Sequence, residues 1–196
     1  MPTEAPISRH LELYAYWLSK RGARGMPARR DIDPADIQQL LPYLAIAERD
    51  GDQFRYRLMG SGIVREGGRE ATGRVVGSGL GDEKITEEAL ALWERVFTTA
   101  RPIFTAVEFC FESGEKHFVS TLILPLSGDG MTVNMSISSL VVRPDPGLMV
   151  SRDWLKGVPV KGSAVSEVGS AEELAMLCRE WELYCGPVAD ERSEES

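Results

Sequence analysis

The sequence predicts an α+β domain: a five-stranded antiparallel sheet flanked by helices, with an amphipathic helix appended at the C-terminal end. Three observations predict it. Strand-like runs come in groups, short glycine turns rather than parallel crossovers join the runs within a group, and helical periodicity is confined to separate blocks. With 196 residues, 43% hydrophobic and 27% charged, the chain can bury a real core. Its composition fits neither a collagen-like nor a wholly disordered class.

The first helix is expected to be capped by Ser8, since Leu11, Tyr14, Ala15 and Leu18 follow at helical spacing, Tyr16 and Trp17 widen the apolar face, and Gly22 ends the run. A glycine-punctuated basic loop, 22–30, leads to Asp31-Ile32-Asp33-Pro34, where Asp33 can cap and Pro34 can open a short second helix, 34–41. Pro42 cannot continue it. Residues 43–48 and 53–59 flank Asp50-Gly51-Asp52 and read as a hairpin, in which Phe54, Tyr56 and Leu58 alternate with Arg55, Arg57 and Met59. The glycine-rich stretch from Gly60 to Gly81 predicts short helical turns at most.

Thr86 is expected to cap a stronger helix carrying Ala89, Leu90, Trp93, Val96 and Phe97 and stopped by Arg101-Pro102. Three strands follow over 103–111, 118–126 and 132–142, and short turns make them an antiparallel meander. In the last, Val133, Met135 and Ile137 alternate with Thr132, Asn134, Ser136 and Ser138, which predicts one packed and one wetter face. Residues 147–169 read as a linker. Ser170 and Glu173 form a capping box for the last helix, whose stripe is Leu174, Leu177, Cys178, Trp181, Tyr184 and Cys185. That stripe needs a partner, either its own sheet or a second copy of the chain. The division expected is a domain over 1–147, and a linker, helix and acidic tail over 148–196.

The formal net charge of −8 argues against nucleic acid and anionic membranes unless a local basic patch exists. One does: Lys20, Arg21, Arg24, Arg29 and Arg30 fall close together without an intervening acid. Either they pair with Asp31, Asp33 and Asp36 to fix a loop, or Arg21, Arg24, Arg29 and Arg30 hold an acidic partner or a phosphate. Cys110, Cys178 and Cys185 form no CxxC pair, and the last two stand about 10 Å apart on a helix, too far for a bridge. Reduced thiols and the lack of a targeting or membrane-spanning segment predict a cytoplasmic location.

Nucleophile-elbow, P-loop and dinucleotide signatures are absent; Gly60-Ser61-Gly62 and Gly77-Ser78-Gly79 have neither the spacing nor the context of an exposed catalytic serine. His10 and His117 are isolated, so neither a metal site nor a histidine base is indicated, and no catalytic residue is assigned. A ligand pocket between the Thr86 helix and the sheet is the better candidate, lined by Trp93, Phe97, Phe109, Met135 and Ile137, although the same residues could simply fill a core. An enzyme reading would require a buried, convergent acid or base in such a cavity.

Trp17 with Lys20-Arg21-Gly22, Met26-Pro27-Ala28-Arg29, Asp31-Ile32-Asp33-Pro34 and Leu40-Leu41-Pro42 resembles the opening of a PAS-like domain family found mostly in alphaproteobacteria. Residues 54–60, Thr72-Gly73-Arg74 and Leu124-Pro125-Leu126-Ser127 with Gly130 are similar to its later landmarks, so the resemblance covers about residues 12–143. It implies a PAS-like five-stranded sheet and a sensory or regulatory protein that binds a small molecule or a signalling protein. A stand-alone module of that kind, not an enzyme, pairing as a homodimer through terminal helices, is the expectation. The resemblance carries over no catalytic residues. The Asn-Cys-Arg-Phe motif of flavin-binding LOV sensors is missing, and the Thr86 helix lacks the histidine of haem-binding PAS domains. Neither cofactor is expected.

Overall fold

A hairpin and a meander build the sheet. Leu44–Asp50 (β1) and Gln53–Met59 (β2) pair antiparallel across a two-residue turn, whose first position, Gly51, takes the positive φ of 63° that such turns favour. Ile103–Cys110 (β3), Lys116–Ser127 (β4) and Val133–Pro144 (β5) follow as an antiparallel meander, and β5 then pairs with β1. The core order is β2-β1-β5-β4-β3. A computed structural model describes residues 7–67, 70–78, 83–110, 116–144, 158–159 and 164–185.

The five expected strands are thus present, and two short ones extend the sheet. Val158–Pro159 (β6) and Ala164–Glu167 (β7) both pair antiparallel with the outer edge of β3. Part of the stretch read as a linker therefore returns to the sheet. It covers an edge that would otherwise present unpaired backbone groups.

Among the described residues, four α-helices flank the sheet: Ser8–Arg21 (α1), Ser61–Gly67 (α2), Glu83–Thr99 (α3) and Ala171–Cys185 (α4). Register and strand alternation divide them between two faces. Ser120, Leu122, Leu124, Ile137, Ser139, Leu44 and Phe104 point one way, where His10 of α1 bonds Ser120 and Ser139, and Trp181 of α4 meets Phe118. Ala47, Thr105, Thr121, Ser136 and Ser138 point the other way, and Trp93 of α3 bonds Ser136 there.

Several local expectations change for identifiable reasons. Ser8 is the first residue of α1 rather than its cap; Ile7 precedes the helix and makes no side-chain cap. The buried stripe of α1 is Ile7, His10, Leu13, Tyr14 and Trp17, shifted from the predicted one because the histidine belongs to it. The second helix is two 3-10 turns, Pro34–Ile37 and Leu41–Tyr43, since Pro42 supplies no backbone N–H to continue an α-helix. Asp33 does cap the first of them, accepting from Ala35 N at 2.9 Å. Helix α3 starts a turn before Thr86, whose hydroxyl instead donates to Gly77 O at 3.1 Å and ties the helix to the preceding turn.

Glycines 60 and 62 have a packing role. A Cβ on Gly60 would lie 2.3 Å from Pro42 O, and one on Gly62 would lie 2.6 Å from the Tyr43 ring, so α2 can approach the 41–43 turn only without side chains there. The terminal helix folds back. Leu174, Cys178, Trp181 and Cys185 are buried, and they share one hydrophobic core with α1, α3 and the strands.

Candidate functional site

The two faces of the sheet differ in side-chain size. Beneath α1 and α4 they are mostly bulky: Leu44, Ile46, Phe104, Leu122, Leu124 and Ile137. Beneath α3, β1 and β5 contribute a patch of small side chains, Ala45, Ala47, Ser136 and Ser138, whereas β3 and β4 carry Ile103 and Ile123 beside Thr105 and Thr121, all of them buried. The face predicted to be wetter is covered instead, because α3 crosses it.

Aromatic groups converge on that small-residue floor. Trp93 Nε1 donates to Ser136 Oγ at 3.2 Å, and its ring meets Tyr56 edge to face at 6.2 Å. Phe97 meets Phe54 at 4.8 Å, and Arg49 lies over both rings while its guanidinium holds Glu94 on the outer side of α3. Burial pushes the Tyr56 hydroxyl up to about 12, so it stays protonated and available to donate. Ser138 Oγ reaches Ala45 O at 3.4 Å, whereas Thr105 Oγ1 is buried with no hydrogen-bond partner. Thr105 stands two strands and two same-face rows from Ser136, so its hydroxyl is separate from the aromatic cluster.

The predicted lining residues separate on this geometry. Trp93 and Phe97 reach the floor together. Met135 and Ile137 lie on the opposite face of β5 from Ser136, with Ile137 packed in register between Ile46 and Leu124. Phe109 pairs in backbone register with His117 and Pro159, and the side chains of Phe109 and His117 lie outside the described residues. Sequence reasoning missed Tyr56, Thr105, Thr121 and Ser138. Their alternation with apolar neighbours was visible, but a serine or threonine in a strand reads as solvated until something covers it.

The basic loop is largely tied into its own turn. Lys20 pairs with Asp36 at 2.8 Å and Arg24 with Asp31 at 2.7 Å, and Arg24 also donates to the carbonyls of Lys20 and Arg21. The Ala28 backbone N–H, then Arg24, holds the Asp31 carboxyl below its usual range. Arg21 lies over the Trp17 ring at 5.4 Å, Arg29 donates to Ile32 O at 3.3 Å, and Arg30 is exposed. Two of the cations therefore serve the loop before any partner.

His10 is a second polar centre, and the structure gives it a role that its sequence position did not. Fully buried, it places Nδ1 2.6 Å from Ser139 Oγ and Nε2 2.9 Å from Ser120 Oγ, with Phe104 edge-on at 5.7 Å. Burial, assisted by Arg9, lowers its pKa from 6.5 to about 3. A neutral imidazole has one donor and one acceptor, so one serine hydroxyl donates to it and the other accepts. A serine–histidine contact invites a hydrolase reading, but Ser120, Ser139 and His10 all have zero exposure and admit no substrate. Glu66 is the carboxyl whose pKa is raised among the described residues: burial pushes it up, and its Oε2 has no hydrogen-bond partner, but the charges beside it are Arg9 and Arg65 and supply no convergent base. Among the described residues, no group of three His, Cys, Asp or Glu side chains could hold a metal ion, and no helix is long and apolar enough to cross a membrane.

Comparison with known proteins follows this geometry. A family model described as a PAS domain matches residues 7–140. No curated protein matches. A solved structure described as "Flavin Analogue Sheds Light on Light-Oxygen-Voltage Domain Mechanism" aligns at 12% identity and a TM-score of 0.41, over 74% of this chain and 91% of its own. A likeness of that size speaks to neither ligand nor mechanism.

Proposed function

The chain belongs to the PAS domain family, and we propose that it is a sensory or regulatory module that binds a small molecule between α3 and the sheet. The observation that carries this reading is the buried patch of small side chains under α3, Ala45, Ala47, Ser136 and Ser138, on which Trp93 and Tyr56 converge. Small side chains beside aromatic rings suit a pocket, and protonated Tyr56 supplies a donor. A ligand suited to this face is neutral, carries hydrogen-bond acceptors, and presents a flat surface to Trp93 and Tyr56. Charged molecules fit poorly, because the nearest charged pair, Arg49 and Glu94, is already joined.

Native mass spectrometry of the purified full chain reads both subunit number and any retained small molecule. The expected result is a bound mass that diminishes in Trp93→Ala and Tyr56→Phe. A ligand-free chain whose melting temperature no neutral aromatic compound raises would sink the proposal. If two copies pair through α4, they would use its exposed positions, Met176, Leu183 and Tyr184, because Leu174, Cys178, Trp181 and Cys185 of the expected stripe are spent on the chain's own core.

A further inference from the structure

Three elements meet at Glu167. It closes β7 opposite Ile103 at the start of β3. Its Oε1 accepts from Arg95 Nε at 3.2 Å and Nη2 at 2.8 Å in the second half of α3, and its Oε2 accepts from Arg101 Nη1 at 3.3 Å just beyond that helix. The next residue, buried Val168, donates its backbone N–H to Pro102 O at 2.9 Å. Gly169 N then donates to Glu173 Oε2 at 2.7 Å, while Ser170 Oγ accepts from Glu173 N at 3.1 Å. The end of β7 and the first turn of α4 are therefore one bonded unit, and α4 lies on the face of the sheet opposite α3.

We infer that Glu167 couples α3 to α4, so that a shift of α3 is carried around the β3 edge to the terminal helix. Two Arg95 nitrogens converge on one carboxylate oxygen while Arg101 holds the other, so a displacement of α3 displaces the carboxylate that both arginines grip. Arg95 and then Arg101 keep Glu167 ionised by holding its carboxyl below the usual range. The device is also releasable. Arg95 and Glu167 remain 44% and 30% exposed, so water can replace either partner, and β7 has only four residues to hold it against β3. The direction from α3 to α4 rests on the proposed ligand face, but the coupling belongs to the chain itself and can be measured without a ligand.

Hydrogen–deuterium exchange of the full chain tests it, with α4 amides as the readout and β4 and β5 amides as the control. Glu167→Gln is expected to raise α4 exchange several-fold while leaving β4 and β5 unchanged, and Glu167→Asp to raise it less. Trp93→Phe removes the indole N–H that holds α3 to Ser136; it is expected to raise α4 exchange in the parent chain and to add nothing in the Glu167→Gln background. The coupling is overturned if Glu167→Gln leaves α4 at parent rates, or if Trp93→Phe has the same effect, including none, in both backgrounds. Absence of a bound mass would remove the ligand reading and leave these exchange rates as they are.

Discussion

Protonating His10 where it stands would bury a charge with only two hydroxyls to solvate it. Its pKa falls from 6.5 in an unfolded chain to about 3 in the fold, so the unfolded state binds the extra proton between those values. Stability from the neutral ring is therefore fully present above pH 6.5 and is lost as the pH falls toward 3. At roughly 1.4 kcal/mol per unit the full loss is on the order of 5 kcal/mol. Denaturant unfolding across that window should show a steeper decline for the parent chain than for His10→Gln, which cannot titrate. Parallel curves would mean that acid acts elsewhere. Gly60 gives an independent test of packing at single-residue resolution. Its added Cβ would lie 2.3 Å from Pro42 O, whereas Gly25 has no positive φ and meets nothing within 4 Å. Gly60→Ala should therefore cost about 3 kcal/mol or more in chemical denaturation, and Gly25→Ala less than about 0.5 kcal/mol.

Helix α4 shows most directly how an element acquires its partner. Its stripe can be read from sequence, but the stripe does not say whether it seats on the same chain or another. The deciding feature is β7, which brings the chain back along β3 and leaves three residues before the helix starts, so the apolar side falls onto Phe118 and α1. Trp181→Ala should cost about 3–5 kcal/mol, while Leu183→Ala, on the outer side, should stay within about 0.5 kcal/mol. Similar values for both, in melts of the monomeric chain, would contradict the folded-back position. The same contrast explains what was legible. Glycine turns mark the hairpin and meander, so the five strands and their antiparallel order were readable. Which face of β5 carries a site was not, since Ser136 and Ser138 look solvated until α3 covers them, and Met135 and Ile137 were accordingly placed on the wrong side of the strand from Trp93. His10 was missed for a similar reason, although positions 10, 13, 14 and 17 make a complete helical stripe once a histidine is allowed to be buried.

At the scale of the molecule, the net charge of −8 and the basic loop no longer describe opposing binding properties, because Lys20 and Arg24 spend their charge on Asp36 and Asp31. Removing those pairs should change loop order more than affinity for anions, as exposed ion pairs contribute little to global stability. A division at residue 147 meets a harder physical constraint. The core that contains Trp17, Leu124 and Phe97 also contains Leu174, Cys178 and Trp181, so the terminal helix is packed against the sheet and cannot be lost without exposing part of that core. Cooperative unfolding follows when elements share buried contacts in this way. Tryptophan fluorescence, which includes Trp181, and far-ultraviolet dichroism, which sums all helices and strands, should give coincident urea transitions with one midpoint. An earlier fluorescence transition that preserves most of the dichroism would show that α4 melts on its own, and would restore the boundary that the sequence places between the domain and its appended helix.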